Sequence, residues 1–161
     1  MPEALRLLFD TNVYDELLEI ELSSKLIQAI REGKLLVYGC TIIRKELRAI
    51  PRQIIKKSVN LRNAIIRVYE TIVEGRQYSI DPTVESIAHQ YAQAYNGHYS
   101  AQEMFNDFLI VACASVHGID IIISKDNKTM CSPSAIEAYT QVNIQNKLKL
   151  PQFHGIERLH V

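Results

Sequence analysis

The chain has 161 residues, 47% of them hydrophobic, and its 18 basic and 18 acidic side chains balance to zero net charge. That length suits one domain with a real core, and no apolar run is long enough to span a bilayer. The start, from Met1 to Ala4, lacks the basic and apolar stretches of a secretory signal, so a cytoplasmic location is expected. Cys40, Cys113 and Cys131 form no C-x-x-C pair and no zinc-ligand spacing with histidine, and read as reduced thiols.

Leu5 to Phe9 is apolar apart from Arg6, the pattern of a strand buried on both faces. Asp10, Thr11 and Asn12 follow it and lead into a helix-like stretch, Val13 to Ile20. A second helix is expected with Ser23 or Ser24 as cap, Leu26, Ile27 and Ile30 on one face, and Gly33 at its end. Leu35 to Tyr38 reads as the second strand. Thr41 then caps a helix that carries Glu46. Pro51 precedes a long segment, Arg52 to Val73, in which Ile54, Ile55, Val59, Leu61, Ile65 and Ile66 recur with a roughly helical period. Tyr78 to Ile80 suggests a short strand. Asp81 and Pro82 open a helix that ends near Asn96 and Gly97. Ala101 to Val116 is apolar nearly all round and predicts a central helix. Ile119 to Ile123 is the clearest strand, rich in β-branched residues. Ser134 to Val142 reads as a helix and Ile156 to Val161 as a last strand. Strands alternating with helices predict an α/β architecture with a parallel sheet.

Charge is unevenly distributed. Acids outnumber bases between Glu3 and Glu32. From Arg44 to Arg67 the order reverses, with Arg44, Lys45, Arg48, Arg52, Lys56, Lys57, Arg62 and Arg67 against Glu46 alone. Such a block can hold a polyanion, or can be a solvated helix face.

Four acids lie within or next to apolar sequence: Asp10 and Asp126 just past strands, Glu46 at the edge of an apolar helix stripe, and Asp107 inside the central helix. Each has a bland reading. Asp10 with Asn12 can cap the following helix. Asp126 with Asn127 can form a turn. Glu46 can pair with a neighbouring Arg or Lys, and Asp107 can sit on a helix dipole. Together they point elsewhere. Carboxylates beside so much apolar sequence need compensation, and a divalent cation supplies it. A carboxylate-held metal in turn suggests phosphate chemistry.

In order and element type, Asp10-Thr11-Asn12, Glu46 on the helix after the second strand, Asp107 followed by Phe108 to Ala114, and Ser124-Lys125-Asp126-Asn127 resemble the PIN-domain ribonucleases. The resemblance covers residues 5–127 and leaves 128–161 as a C-terminal extension of the same single domain, 1–161. It implies a three-layer α/β/α fold around a central parallel sheet and metal-dependent endonucleolytic hydrolysis of RNA, leaving a 5′-phosphate and a 3′-hydroxyl. Carried over by position, Asp10, Glu46, Asp107 and Asp126 would be the catalytic acids and would hold Mg²⁺ or Mn²⁺. Ser124, Asn12 and Asn127 would support them, as positioning groups or as plain turn and cap residues. Arg44, Arg48, Arg52 and Lys56 would contact RNA. Small PIN proteins include toxins of toxin–antitoxin pairs (VapC-like), which dimerise and are silenced by a partner. The resemblance therefore extends the expectation to an antitoxin protein and a homodimer or higher oligomer. The alternatives are a catalytically idle PIN-like module that binds RNA or protein, and another metal-dependent phosphohydrolase such as a DNA nuclease. The histidines are scattered; His98 reads as a surface residue, and Tyr91 and Tyr95 as packing residues.

Overall fold

The structure is a computed structural model and describes residues 3–159. Strand β1 (Leu5–Phe9) lies at the centre of the sheet, paired in parallel with β2 (Leu35–Cys40) on one side and β6 (Ile121–Ile123) on the other. Two further parallel strands, β5 (Gln77–Tyr78) beside β2 and β7 (Gln152–His154) beside β6, complete the order β5-β2-β1-β6-β7. Leu7, Leu8 and Phe9 are wholly buried, because helices cover both faces of the sheet. This is why β1 is a continuous apolar run and does not alternate. From β1 the chain builds outward to β2 and β5, then crosses to β6 and β7 on the other side. The boundary between β1 and β6 is therefore a switch point, where crossovers diverge and leave a crevice at the carboxyl ends of the strands.

Among the described residues six α-helices pack around the sheet. Helix α1 (Ile20–Arg31) and α2 (Thr41–Arg48) flank β2 in sequence, and α3 (Leu61–Val73) leads to β5. Helix α4 (Pro82–Ala94), capped by the Asp81 side chain on Val84 N, packs against α5 (Phe105–Val116) and α6 (Pro133–Gln145). Helix α5 is buried continuously from Phe108 to Ser115, as its unbroken apolar sequence requires. Its polar Ser115 is satisfied by Tyr91 and by Asn143 of α6.

Several expected elements differ. Val13 to Ile20 holds no α-helix: two 3₁₀ turns, Thr11–Val13 and Glu16–Leu18, bring Val13 and Leu17 into the core. Neither Ser23 nor Ser24 caps α1, which begins at Ile20; the Ser23 hydroxyl bonds to the Leu17 carbonyl. Thr41 is the first residue of α2, not its cap. The segment expected as one helix from Arg52 to Val73 begins with an antiparallel hairpin, β3 (Ile55–Lys56) and β4 (Val59–Asn60), and α3 starts only after it. Lys57 and Ser58 turn the hairpin at φ 51° and 64°, the left-handed pair of a type I′ turn, which carries no glycine here. Ile55 and Val59 stand four apart and mimic a helical stripe, yet both are exposed. The helix over Ala101 to Val116 begins at Phe105, with turns before it. The last strand is Gln152–His154, and Ile156–Arg158 is a 3₁₀ turn in place of the expected strand; His160 and Val161 lie outside the described residues. No helix among the described residues is long and apolar enough to cross a membrane.

Candidate active site

Parallel register places the first two acids. Phe9 pairs with Ile123, so the chain leaves β1 and β6 at the same sheet edge, and Asp10 N donates to the Ile123 carbonyl at 2.8 Å. Asp10 is 5% exposed. Its Oδ1 accepts from Thr11 N and its Oδ2 from the Ser124 hydroxyl, both at 2.8 Å. The same Ser124 oxygen accepts from Asp126 N at 3.0 Å. Ser124 therefore ties the end of β1 to the loop after β6. Asn12 adds a second tie, accepting from Lys125 N at 3.2 Å. Asn127 is exposed beside this loop.

Helix α2 brings Glu46 to the same crevice. Its inward face carries the buried Ile43 and Leu47, and Glu46 emerges at the stripe's edge, where Thr11 Oγ1 donates to its Oε1 at 2.8 Å. Asp107 stands in the first turn of α5, so the helix dipole favours its charge. Asp126 is held by Lys128 N, Thr129 N and the Thr129 hydroxyl. Thr129 also opposes the rise of the Asp107 carboxyl pKa.

The electrostatics divide the four. Burial pushes the Asp10 carboxyl up to about 6, with Glu46 and Asp126 adding repulsion against bonds from Ser124 and Thr11. Burial raises Asp107 to about 7, and Asp10, Asp126 and Glu46 all contribute. Burial also raises Glu46. Asp126 moves the other way: bonds from Thr129 and the backbone outweigh desolvation and hold it below the usual carboxylate range. Burial is the main cause of the three raised values, and repulsion between carboxylates adds to it at Asp10 and at Asp107.

The acids and hydroxyls offer hard oxygen donors, the kind that Mg²⁺ or Mn²⁺ takes, and the Cys131 thiol, pushed up to about 11 by burial, stands beside Ser124 among them. Among the described residues no three His, Cys, Asp or Glu side chains stand at the spacing needed to ligate one ion. The expected ligand set of Asp10, Glu46, Asp107 and Asp126 is therefore not assembled at coordinating spacing in the structure.

Two hydroxyls of this pocket escaped the sequence reading. Thr11 was read only as part of the Asp10-Thr11-Asn12 run, and Thr129, three residues past Asp126, was not singled out; its spacing is that of an ordinary Asx turn. Arg44 and Arg48 do not join the acids. Each is two residues from Glu46 and so lies about 160° round α2. With Lys45 they line an open groove of about 330 Å³ on the helix's outer side, where Arg44 pairs with Glu70 at 3.0 Å. Arg52 and Lys56 are exposed on and beside the hairpin, and among the described residues neither makes an ion pair.

The PIN domain family profile matches residues 7–145, reaching well into the part beyond Asn127 that the motifs had left out. Solved structures share the fold at low identity. VapBC2 from Rickettsia felis, bound to a DNA fragment from its promoter, superposes with a TM-score of 0.57 at 10% identity, over 94% of this chain and 98% of that one. FitAcB from Neisseria gonorrhoeae gives a TM-score of 0.57 at 20% identity, over 95% and 99%. FitAB bound to an IR36 DNA fragment gives 0.55 at 19%, over 96% and 98%. No curated protein matches the chain in sequence. With the profile spanning most of the chain and the sheet order and helical layers in place, the chain belongs to the PIN-domain family, whose members are generally nucleases.

Proposed function

We propose that the protein is a metal-dependent endoribonuclease whose catalytic centre is Asp10, Glu46, Asp107 and Asp126. What supports this reading is that Asp10 and Asp126 share the Ser124 hydroxyl at the carboxyl edge of the sheet, that Thr11, next to Asp10, holds Glu46, and that Asp107 lies near enough to these acids for them to raise it. A bound Mg²⁺ or Mn²⁺ supplies a lowered water pKa and charge stabilisation at the phosphate. The chain's own groups do the positioning. Ser124 fixes the carboxylate plane of Asp10, Thr11 holds Glu46, and Thr129 holds Asp126 beside Asp107. The walls of Phe9, Phe108 and Ile123 exclude bulk water from behind the acids. The RNA backbone is held by Arg52 and Lys56, and by Arg44 and Arg48 around the far side of α2. A helix is only about 10 Å across with its side chains, so a strand leaving the acids can reach that face.

The likeness to VapBC2 and to FitAB supports the finer reading of a toxin paired with an antitoxin protein. In this reading the protein is cytoplasmic, acts as a homodimer or higher oligomer, and is a single PIN-like unit in which residues 128–161 complete the domain by adding β7 beside β6.

The test is cleavage of labelled single-stranded RNA in Mn²⁺, repeated in EDTA and with Asp10→Asn. Cleavage that needs Mn²⁺ and Asp10 supports the proposal. Cleavage that survives Asp10→Asn removes the mechanism, RNA binding without cleavage moves the protein to an idle binding module, and preference for DNA moves it to a DNA nuclease. An antitoxin is sought by co-purification with the product of the adjacent gene.

A further inference from the structure

Parallel pairing brings a second loop alongside the acids. Ile123 registers with His154, and Ser124 N donates to the His154 carbonyl at 3.0 Å. The chain leaving β7 therefore runs beside the chain leaving β6. Between them lies a cavity of about 230 Å³ whose walls include Ser124, Lys125, Asn127, Phe153, His154 and Glu157. Ser124 is also the hydroxyl that holds Asp10, so a group in this cavity sits one side chain from the acids.

Its chemistry does not suit a phosphate. Lys125, the cation of the wall, is already engaged by Asp15 at 3.1 Å and Glu16 at 3.0 Å. Glu157 folds its carboxylate back over Gly155, where an added Cβ would collide with it. Asp10 and Asp126 stand behind Ser124. Burial and the nearby Arg158 lower the His154 pKa, which disfavours its cationic form. What remains is an aromatic wall and hydrogen-bonding groups. The Phe153 ring is backed by Tyr139, with centroids 5.8 Å apart at 25°. Asn127 both donates and accepts, ionised Glu157 only accepts, and the Ser124 hydroxyl is already engaged by Asp10 and Asp126. A flat, neutral heteroaromatic ring satisfies this set. Single-stranded RNA offers one as a splayed base, which stacks on aromatic side chains and is read at its edges.

Resting on the ribonuclease reading above, we propose that this cavity is a nucleobase subsite next to the scissile phosphodiester, selective for bases that carry an exocyclic amino group. Glu157 accepts from the amino group of cytosine, adenine or guanine. Uracil presents a carbonyl oxygen at the corresponding position and meets the carboxylate with repulsion.

The test is equilibrium binding of labelled C, A and U hexamers to the wild-type protein in EDTA, where cleavage does not obscure it, followed by Glu157→Gln and Phe153→Ala. The wild type is expected to bind the C and A hexamers about 10-fold tighter than U, the scale of one hydrogen bond to a charged group. Glu157→Gln, whose amide can also donate, should shrink that ratio below about 3-fold, and Phe153→Ala should weaken all three. Equal binding of C and U by the wild type, or an unchanged ratio in Glu157→Gln, overturns the subsite. The cleavage assay in Mn²⁺ fails or succeeds separately. Base-selective binding without cleavage sinks the nuclease and keeps the subsite; cleavage without base selectivity does the reverse.

Discussion

Strand β1 carries a charged residue near each end, and the two are treated in opposite ways. Arg6, near the amino end, is compensated on every side. Its side chain donates to the His117 carbonyl at 2.8 Å and to the Tyr78 hydroxyl at 2.9 Å, its backbone N donates to Asp120, and its guanidinium stacks over the Tyr38 ring at 4.7 Å. Tyr38, Tyr78 and His117 form a stack around it. Asp10, just past the carboxyl end, has bonds from Ser124 and Thr11, but burial, with repulsion from Glu46 and Asp126 added, raises its pKa to about 6. One end of the strand spends its polar groups on stability. The other leaves charge uncompensated, and such strain is found where a site awaits a ligand.

That contrast can be broken at either end. Asp10→Asn should lower RNA cleavage by more than about 100-fold, beyond the range of losses from supporting residues around a metal, while the protein stays folded by circular dichroism. A variant with full activity would show that the acidic end is structural after all. Ser124→Ala, which leaves Asp10 in place but frees its Oδ2, should cost about 10–100-fold in activity or metal affinity, as read by the Mn²⁺ dependence of the rate.

At the other end, Arg6→Gln should destabilise the fold by about 1–3 kcal/mol, because it leaves part-buried acceptors without their donor. Urea denaturation measures this, and activity per folded molecule should not change.

The contrast sharpens with pH. In the metal-free protein, Asp10 and Asp107 have folded pKa values near 6 and 7 against 3.8 for the free side chain. A carboxyl raised on folding binds more protons in the native state, so its contribution is fully present below the unfolded pKa and is lost as pH rises through the folded pKa. In EDTA the melting temperature should therefore fall between about pH 4 and pH 7. Asp107→Asn should flatten that fall, and Mg²⁺ or Mn²⁺ should raise the melting temperature most at the upper end of the window, since the ion binds only the folded site. Asp126, whose pKa is lowered, works with the opposite sign: its contribution is present above the unfolded pKa and fades as pH drops through the folded one. A melting temperature that climbs steadily through the window would reverse the assignment. The smallest expected effect lies outside the crevice. Arg52→Ala or Lys56→Ala should weaken RNA binding and lower the salt slope by about one unit each, and an unchanged slope would mean that the hairpin does not touch RNA.

The elements that sequence made legible share a physical character. Leu5 to Phe9 and Ile119 to Ile123 read as strands because burial on both faces forces an unbroken apolar run, and Phe108 to Ser115 read as a central helix for the same reason. The acids stood out because a carboxylate in such surroundings needs a cause. The errors fall where the signal is not about burial. Ile55 and Val59 imitate a helical stripe but face solvent on a hairpin whose turn, Lys57 and Ser58, lacks the usual glycine or asparagine. Gln152 to His154 is too short and polar to announce itself, and becomes a strand because β6 offers an open edge.

What the sequence by itself determined is local: which runs are apolar enough to be buried, where helices can begin, and which four acids sit against them. The tertiary structure alone decided what is shared between distant segments. It joined Asp10 to Asp126 through Ser124, turned Arg44 and Arg48 to the face of α2 opposite Glu46, bonded Thr129 to Asp126, and opened a cavity beside the site with residues near 125 and near 154. The reason is that periodicity records the face a residue presents within its own element. The neighbour it meets is set by the strand order and register, which depend on how all the buried faces pack at once.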